Sequence, residues 1–186
     1  MALVYGSKRF VMGFKQVSIL FSAIFIWSFT ITKDLSKKVD KEIKETFGIE
    51  HYSYTVKAIP DAVLKELPSE FNNENLLSIT SNDVLLGYAY FGQGFGKTDH
   101  FDFLVLFNSE LTIVKTKVLA YREDYGGEIG SKRWLKQFIG KTQYDNLKYG
   151  DDIVAISGAT ISVRSMTNEI NNLLKSLRIL HSKNIL

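Results

Sequence analysis

The segment SGATISVRS, from Ser157 to Ser165, combines small residues and hydroxyls with the start of a helical pattern. Gly158 and Ala159 allow the backbone to turn sharply and to approach a bulky group. Thr160 then presents a hydroxyl where a helix begins, and free N–H groups and the helix dipole favour an anion there. The pattern predicts a phosphate-binding site. On spacing alone, the other interpretation is that Ser157 and Thr160 only cap the helix.

A second glycine-rich segment, GQGFGKT from Gly92 to Thr98, resembles a phosphate-binding loop only superficially. Its outer glycines are one residue too close for a Walker loop, and the next segment alternates like a strand instead of forming a helix. The segment therefore predicts a tight or mobile connection between two strands. We expect Gly94 or Gly96 to have a positive φ there.

Composition excludes several functional classes. The chain has no cysteine, which excludes disulfides, thiolate nucleophiles, cysteine zinc sites and cysteine-ligated iron–sulfur clusters, so redox chemistry would need a bound organic cofactor. The net charge of +3 is spread along the chain, which argues against a nucleic-acid partner. His51, His100 and His181 are scattered, and we predict neither catalytic residues nor a metal site.

The segment from Gln16 to Thr32 carries no charge over 17 residues, near the lower limit for a membrane-spanning helix. Snorkelling of Lys15 would lengthen it. A secretory signal peptide is the competing interpretation, but no small-residue cleavage pattern follows. We predict an N-terminal membrane anchor with one transmembrane helix over residues 1–32, and one domain over residues 33–186.

Periodicity predicts an α+β domain. Apolar residues at intervals of four from Leu35 to Phe47 indicate a helix that ends at Gly48. Residues 51–75 indicate a short strand, a short helix and a loop. Two hairpins should follow: LLSIT with VLLGYAYF, and HFDFLVLF with LTIVKTKVLAY, whose Lys115 and Lys117 are expected to face outward.

The remaining elements are helical. The segment SKRWLKQFIG predicts a short helix capped by Ser131 and ended by Gly140, and a long amphipathic helix is expected from Ser162 onward. The predicted fold is an antiparallel sheet of about four or more strands flanked by helices, preceded by one N-terminal transmembrane helix.

The tetrapeptide from Ser157 to Thr160, followed by an amphipathic helix, resembles the flavinylation motif of a known family. These are the FMN-binding domains in the membrane subunits of the sodium-translocating NADH:quinone reductase and the Rnf electron-transport complex. The resemblance includes the N-terminal membrane segment and the turn REDYGGEIG before SKRWLKQF, and it covers most of the chain from Val84 onward. In the turn, Asp124 and Tyr125 replace the threonine and proline that often follow the glutamate in the family.

The resemblance implies an electron-transfer subunit and not a stand-alone catalyst. FMN would be held covalently by a phosphoester to Thr160, attached by a separate flavin transferase that uses FAD as donor. The domain would lie on the outer, periplasmic side of the cytoplasmic membrane and exchange electrons with other membrane redox proteins. The implied cofactor-binding residues are Ser157, Gly158, Ala159, Thr160, Glu123, Gly126 and Gly127.

The sequence leaves two further interpretations open. A flavin-free, membrane-tethered binding or assembly module with the same fold is favoured by Val154, because the family usually has an acidic residue at that place. A flavin reductase for soluble substrates would need a second cofactor site, which the sequence does not show. Tyr121, Tyr125 and Phe95 are candidates to pack on a flavin ring by composition only.

Overall fold

The domain is built on a five-stranded antiparallel sheet whose strands are neighbours in sequence order, as a computed structural model shows. The structure describes residues 33–72 and 74–186. The strands are β1 (Ser53–Val56), β2 (Leu76–Ser81), β3 (Val84–Phe95), β4 (His100–Asn108) and β5 (Ile113–Ala120). The helices are α1 (Lys33–Phe47), α2 (Asp61–Leu64), α3 (Lys132–Leu135) and α4 (Thr160–Ser182), with 3-10 turns at Gly127–Gly130 and Lys136–Phe138. The predicted α+β class and antiparallel sheet are confirmed.

The predicted anchor, residues 1–32, lies outside the described residues. Within residues 33–72 and 74–186, no helix is both long and apolar enough to cross a membrane. The transmembrane helix therefore stays a prediction from the sequence.

Both faces of the sheet are covered, and β4, one of the three inner strands, carries buried apolar side chains on both sides. Phe101, Phe103 and Phe107 face the core under α4, whereas Leu104 and Leu106 face the core under α1. All five side chains are at most 1% exposed. Burial of each one stabilises the fold by roughly 1.5–3 kcal/mol, so β4 contributes to the cores on both faces of the sheet.

Lys115 and Lys117 of β5 were expected to face outward into solvent, and this prediction is wrong. Helix α1 covers that face of the sheet, and the carboxylate of Glu42 lies 3.0 Å and 2.9 Å from the two ammonium groups. Burial alone would raise the pKa of Glu42, but its hydrogen bonds and ion pairs with both lysines outweigh burial and lower the pKa. The alternation in β5 therefore separates two covered faces.

Two glycines of β3 make room for aromatic rings and not for a turn. Neither Gly94 nor Gly96 has the positive φ that we expected. Instead, a Cβ on Gly92 would lie 2.4 Å from the ring of Phe103, and one on Gly94 would lie 2.2 Å from the ring of Phe101. These phenylalanines are the direct cross-strand partners of the two glycines. The packing of these phenylalanine rings over the backbone explains why both positions are glycine.

The helix boundaries near the C-terminal part of the domain agree with the sequence patterns. Ser131 caps α3 by accepting a hydrogen bond from the N–H of Trp134, and Gly140 follows with φ of 83°. Helix α4 begins at Thr160, two residues before the predicted start at Ser162, and extends over 23 residues. The flavinylation-like motif therefore enters the helix directly.

Candidate functional site

Three segments meet at the first turns of α4, and we call this region the α4 N-terminal site. They are the end of β3 with its loop to β4 (residues 95–99), the turn after β5 (residues 121–127), and the SGAT segment (residues 157–160). The backbone N–H of Phe95 donates a hydrogen bond to Ser165 Oγ at 2.7 Å, which joins β3 to α4. Segments that are distant in sequence thus come together at one helix end.

Gly126 brings the turn after β5 into direct contact with the SGAT segment. A Cβ on Gly126 would lie 2.4 Å from the Cβ of Ala159, closer than packed atoms allow. Gly126 also has φ of 80°, which side chains rarely tolerate. Ala159 itself is only 3% exposed. The small size of both residues is therefore required by their contact.

The hydroxyl of Tyr121 joins the same two segments by hydrogen bonds. It lies 3.0 Å from the backbone oxygen of Tyr125, to which it donates, and 3.0 Å from Ser162 Oγ in the first turn of α4. The ring of Tyr121 packs against Phe101 with centroids 6.0 Å apart. Tyr121 therefore connects the turn, the helix and the core.

Gly158 is needed for the turn into α4 and not for close packing. Its φ is 78°. Among the described residues, no atom lies within 4 Å of the place that a Cβ on Gly158 would take. This open space leaves the approach to Ser157 and Thr160 unobstructed, and both side chains are exposed.

Neither Ser157 nor Thr160 caps α4, so the simple capping interpretation is wrong. Ala159 is the N-cap residue, and no side chain in the described part of the chain makes a capping hydrogen bond there. The first turn also contains no acidic residue. The N–H groups and positive dipole end of a 23-residue helix therefore remain available to an anion beside the Thr160 hydroxyl.

Exposed apolar side chains are frequent in the segments around Thr160. Phe95 is 51% exposed, Tyr125 80%, Val154 63% and Ile161 50%. Side chains of this kind lose contact with water when a flat apolar group covers them. The segments of the α4 N-terminal site therefore offer both an anion position and apolar surface.

Glu123, predicted to bind the cofactor, faces the β3–β4 loop. Its carboxylate accepts hydrogen bonds from the Thr98 N–H at 2.6 Å, the Thr98 hydroxyl at 2.8 Å and the Asp99 N–H at 3.0 Å. A Cβ on Gly96 would lie 2.2 Å from this carboxylate. The hydrogen bond from the Thr98 N–H, followed by that from Asp99, lowers the pKa of Glu123. Glu123 therefore holds the loop that begins at Phe95.

We expect the loop contact to depend on Glu123 ionisation. Because the folded-state pKa is lowered, the contact is fully present above the usual glutamate pKa and is lost as pH falls through the lowered value. The amide proton shift of Thr98, followed by NMR, should show this transition in the wild-type chain. The Glu123→Gln variant should lack the transition, whereas Glu128→Gln, an exposed glutamate in the next turn, should retain it. An unchanged Thr98 titration in Glu123→Gln would contradict the assignment.

The backbone of Val154 is fixed by side chains from the segment after the turn. Trp134 Nε1 donates to the oxygen of Val154 at 2.8 Å, and the N–H of Val154 donates to Gln137 Oε1 at 2.7 Å. The Val154 side chain itself points outward and is exposed. The approach to the SGAT segment is therefore positioned by backbone contacts that do not depend on the side chain at 154.

All seven predicted site residues lie in two adjoining segments of the α4 N-terminal site, residues 121–127 and 157–160. The side chain of Glu123 faces the β3–β4 loop. Sequence reasoning missed Ser162 and Ser165, which receive Tyr121 and the end of β3. Their spacing of three places the two serines on one face of α4, and this spacing was the available signal. Within the part of the chain that the structure describes, no group of three potential ligands could hold a metal ion.

Comparison with known families agrees with this geometry. Residues 96–175 match the model of the FMN-binding domain family. The match begins in the β3–β4 loop and ends in α4, so it includes the turn after β5 and the whole SGAT segment. A search of curated proteins returned no match. The match to the FMN-binding domain family over residues 96–175 agrees with the resemblance that the SGAT motif and the turn indicated.

Proposed function

We propose that this chain is a membrane-anchored electron-transfer flavoprotein that carries FMN covalently through a phosphoester to Thr160. The observation that carries the proposal is the start of α4. An exposed threonine occupies the first position of a 23-residue helix whose N-cap is an alanine. A phosphate on this hydroxyl would meet helix N–H groups that no side-chain cap of the described residues occupies.

The charge of such a linkage fits the site. A phosphodiester retains one negative charge, and a helix N-terminus stabilises an anion by about 0.3–1 kcal/mol when the position is exposed. That gain alone is too small to hold a cofactor. The covalent bond to Thr160 provides the permanent attachment, and the helix orients the phosphate.

The attachment reaction exchanges one phosphorus–oxygen bond for another. Thr160 Oγ1 would form a bond to the FMN phosphorus of FAD, and the bond from that phosphorus to the AMP oxygen would break. AMP would leave with the electron pair, and the threonine proton would pass to a base of the transferase. In this proposal the chain itself provides only an accessible hydroxyl, which agrees with the exposure of Thr160 and the open space at Gly158.

The flavin, when attached, would supply the electron chemistry, and the chain would orient it and limit its contact with water. Phe95 and Tyr125 offer exposed aromatic surface in the segments that adjoin α4. Glu123 fixes the loop after Phe95, and Tyr121 fixes the turn that carries Tyr125. We therefore assign these two residues to positioning.

The partners follow from the same proposal. A flavin transferase with FAD as donor would load the chain, and other membrane redox proteins would exchange electrons with it. The charge-free run from Gln16 to Thr32 supports a single-pass anchor. The family resemblance supports a location in the cytoplasmic membrane with the domain on the outer, periplasmic side.

A flavin-free binding module is the second candidate, and Val154 is the residue that favours it. An acidic side chain at 154 would project into solvent, because both backbone groups of this residue are already held by Trp134 and Gln137. Valine at position 154 therefore changes an exposed side chain that a transferase could contact, and it leaves the backbone position of Thr160 unchanged. We therefore favour the flavin carrier.

The deciding experiment is the intact mass of the chain after coexpression with a flavin transferase. We expect an increase equal to FMN less one water, and no increase without the transferase. A known substrate domain expressed in parallel shows that the transferase is active. A chain that stays unmodified while that substrate is fully loaded would favour the flavin-free module.

A further inference from the structure

Helix α1 lies along the strands of the sheet and not across them. Glu42 forms ion pairs with lysines of β5, one edge strand. Asp40 lies close to Tyr52, which directly precedes β1, the other edge strand, and, after burial, its charge helps to raise the pKa of Tyr52. Residues two apart on a helix point about 200° apart, so these contacts lie on opposite flanks. Val39 and Ile43 lie between the flanks and face the sheet.

The end of α1 leads to the end of the sheet opposite the α4 N-terminal site. Residues 48–52 join α1 to β1, which begins at Ser53 opposite Thr80. Thr80 is next to the turn between β2 and β3, the end of the sheet where β4 terminates at Asn108. The α4 N-terminal site adjoins the other end, where Phe95 pairs with His100.

The start of α1 therefore reaches the end of the sheet that carries the α4 N-terminal site. Glu42 is opposite Lys117, in the middle of the sheet. From Glu42 back to Lys33 the helix extends about 14 Å, whereas β5 extends only about 10 Å from Lys117 to Ala120. Residue 33 directly follows the charge-free run that predicts the membrane anchor.

We propose that the end of the domain that carries Thr160 faces the membrane and rests on the lipid surface. Lys37 and Lys38, exposed near the start of α1, would meet anionic headgroups. In the chain without flavin, Phe95 and Tyr125 expose aromatic surface at the same end, and aromatic side chains are common where a protein meets the headgroup region. This inference rests on the anchor in the proposed function, but it does not depend on the presence of flavin.

The absence of cysteine from the chain makes a direct test possible. Lys97→Cys and Ser109→Cys place single labels in exposed loops at the two ends of β4, a strand of nine residues and about 30 Å. Each full-length variant is labelled with the same fluorophore and reconstituted into vesicles that contain headgroup nitroxide lipids. We expect the label at position 97 to lose most of its fluorescence and the label at position 109 to keep most of it.

Three results would contradict the orientation or its basis. Stronger quenching at position 109, or equally weak quenching at both positions, would overturn the membrane-facing orientation. A chain that fails to float with the vesicles would overturn the anchor and the orientation together. Neither label reports on flavin, so a chain that shows the expected quenching but no FMN in the mass experiment would contradict only the flavin carrier. Vesicles without nitroxide provide the reference intensity for each label.

Discussion

Replacing Thr160 by alanine is expected to abolish covalent FMN while leaving the domain folded. The substitution removes the only atom that we propose to bond to the cofactor. Thr160 is exposed and begins α4, so its loss should change the free energy of unfolding by no more than about 0.5 kcal/mol. Intact mass and in-gel fluorescence of the denatured protein measure the attachment, and thermal unfolding measures the fold.

Ser157→Ala is the matched control, because Ser157 is an exposed hydroxyl in the same tetrapeptide. This variant should keep its FMN, and Thr160→Ser should keep it as well, since a serine hydroxyl can form the same ester. Persistent flavin fluorescence in denatured Thr160→Ala would remove Thr160 from the proposal. If fluorescence were lost only in Ser157→Ala, the attachment would belong to Ser157.

Gly126→Ala is expected to disturb both the fold and the flavin loading. The added Cβ would lie 2.4 Å from the Cβ of Ala159, and overpacking of this kind costs roughly 1–3 kcal/mol. The φ of 80° adds about 1 kcal/mol for a residue with a side chain. We expect a lower unfolding temperature and a flavinylation rate several-fold below that of the wild type.

Gly127→Ala is the control for Gly126→Ala. It tests whether the expected losses come from the Gly126–Ala159 contact or from replacing any glycine of this turn. Within the described part of the chain, no atom lies within 4 Å of a Cβ at this position. Reduced freedom of the unfolded chain should make the change neutral or stabilising by up to about 1 kcal/mol. Equal stability and equal loading of the two variants would show that the Gly126–Ala159 contact has no role.

Local sequence patterns predicted the helices and strands because each pattern depends only on residues within one short segment. The interval of four in α1, the alternation in β4 and the capping of α3 by Ser131 all agree with the structure. The predicted outward orientation of Lys115 and Lys117 was wrong. An alternating pattern shows which side chains share a face of the strand, but it does not show which element covers that face. Glu42, far away in sequence, decides that question.

The sequence predicted those residues of the candidate site that belong to a local motif. It did not predict the contacts that depend on packing between distant segments. The SGAT tetrapeptide indicated Thr160, but no sequence pattern places Gly126 on Ala159 or directs Glu123 to the loop at Thr98. Gly94 was misread for the same reason. Its neighbour is the ring of Phe101 on another strand, and we inferred a positive φ where close packing explains the glycine.

The Phe95–Ser165 hydrogen bond joins residues 70 positions apart in the chain. This separation bears on when the site forms during folding. We expect contacts of such range to form late in folding, because closing a long chain segment costs conformational entropy before the contact contributes any stabilising free energy. Before α4 packs on the sheet, Ala159 cannot contact Gly126. If Thr160 carries FMN as we propose, we expect the transferase to load only molecules in which α4 has already packed on the sheet.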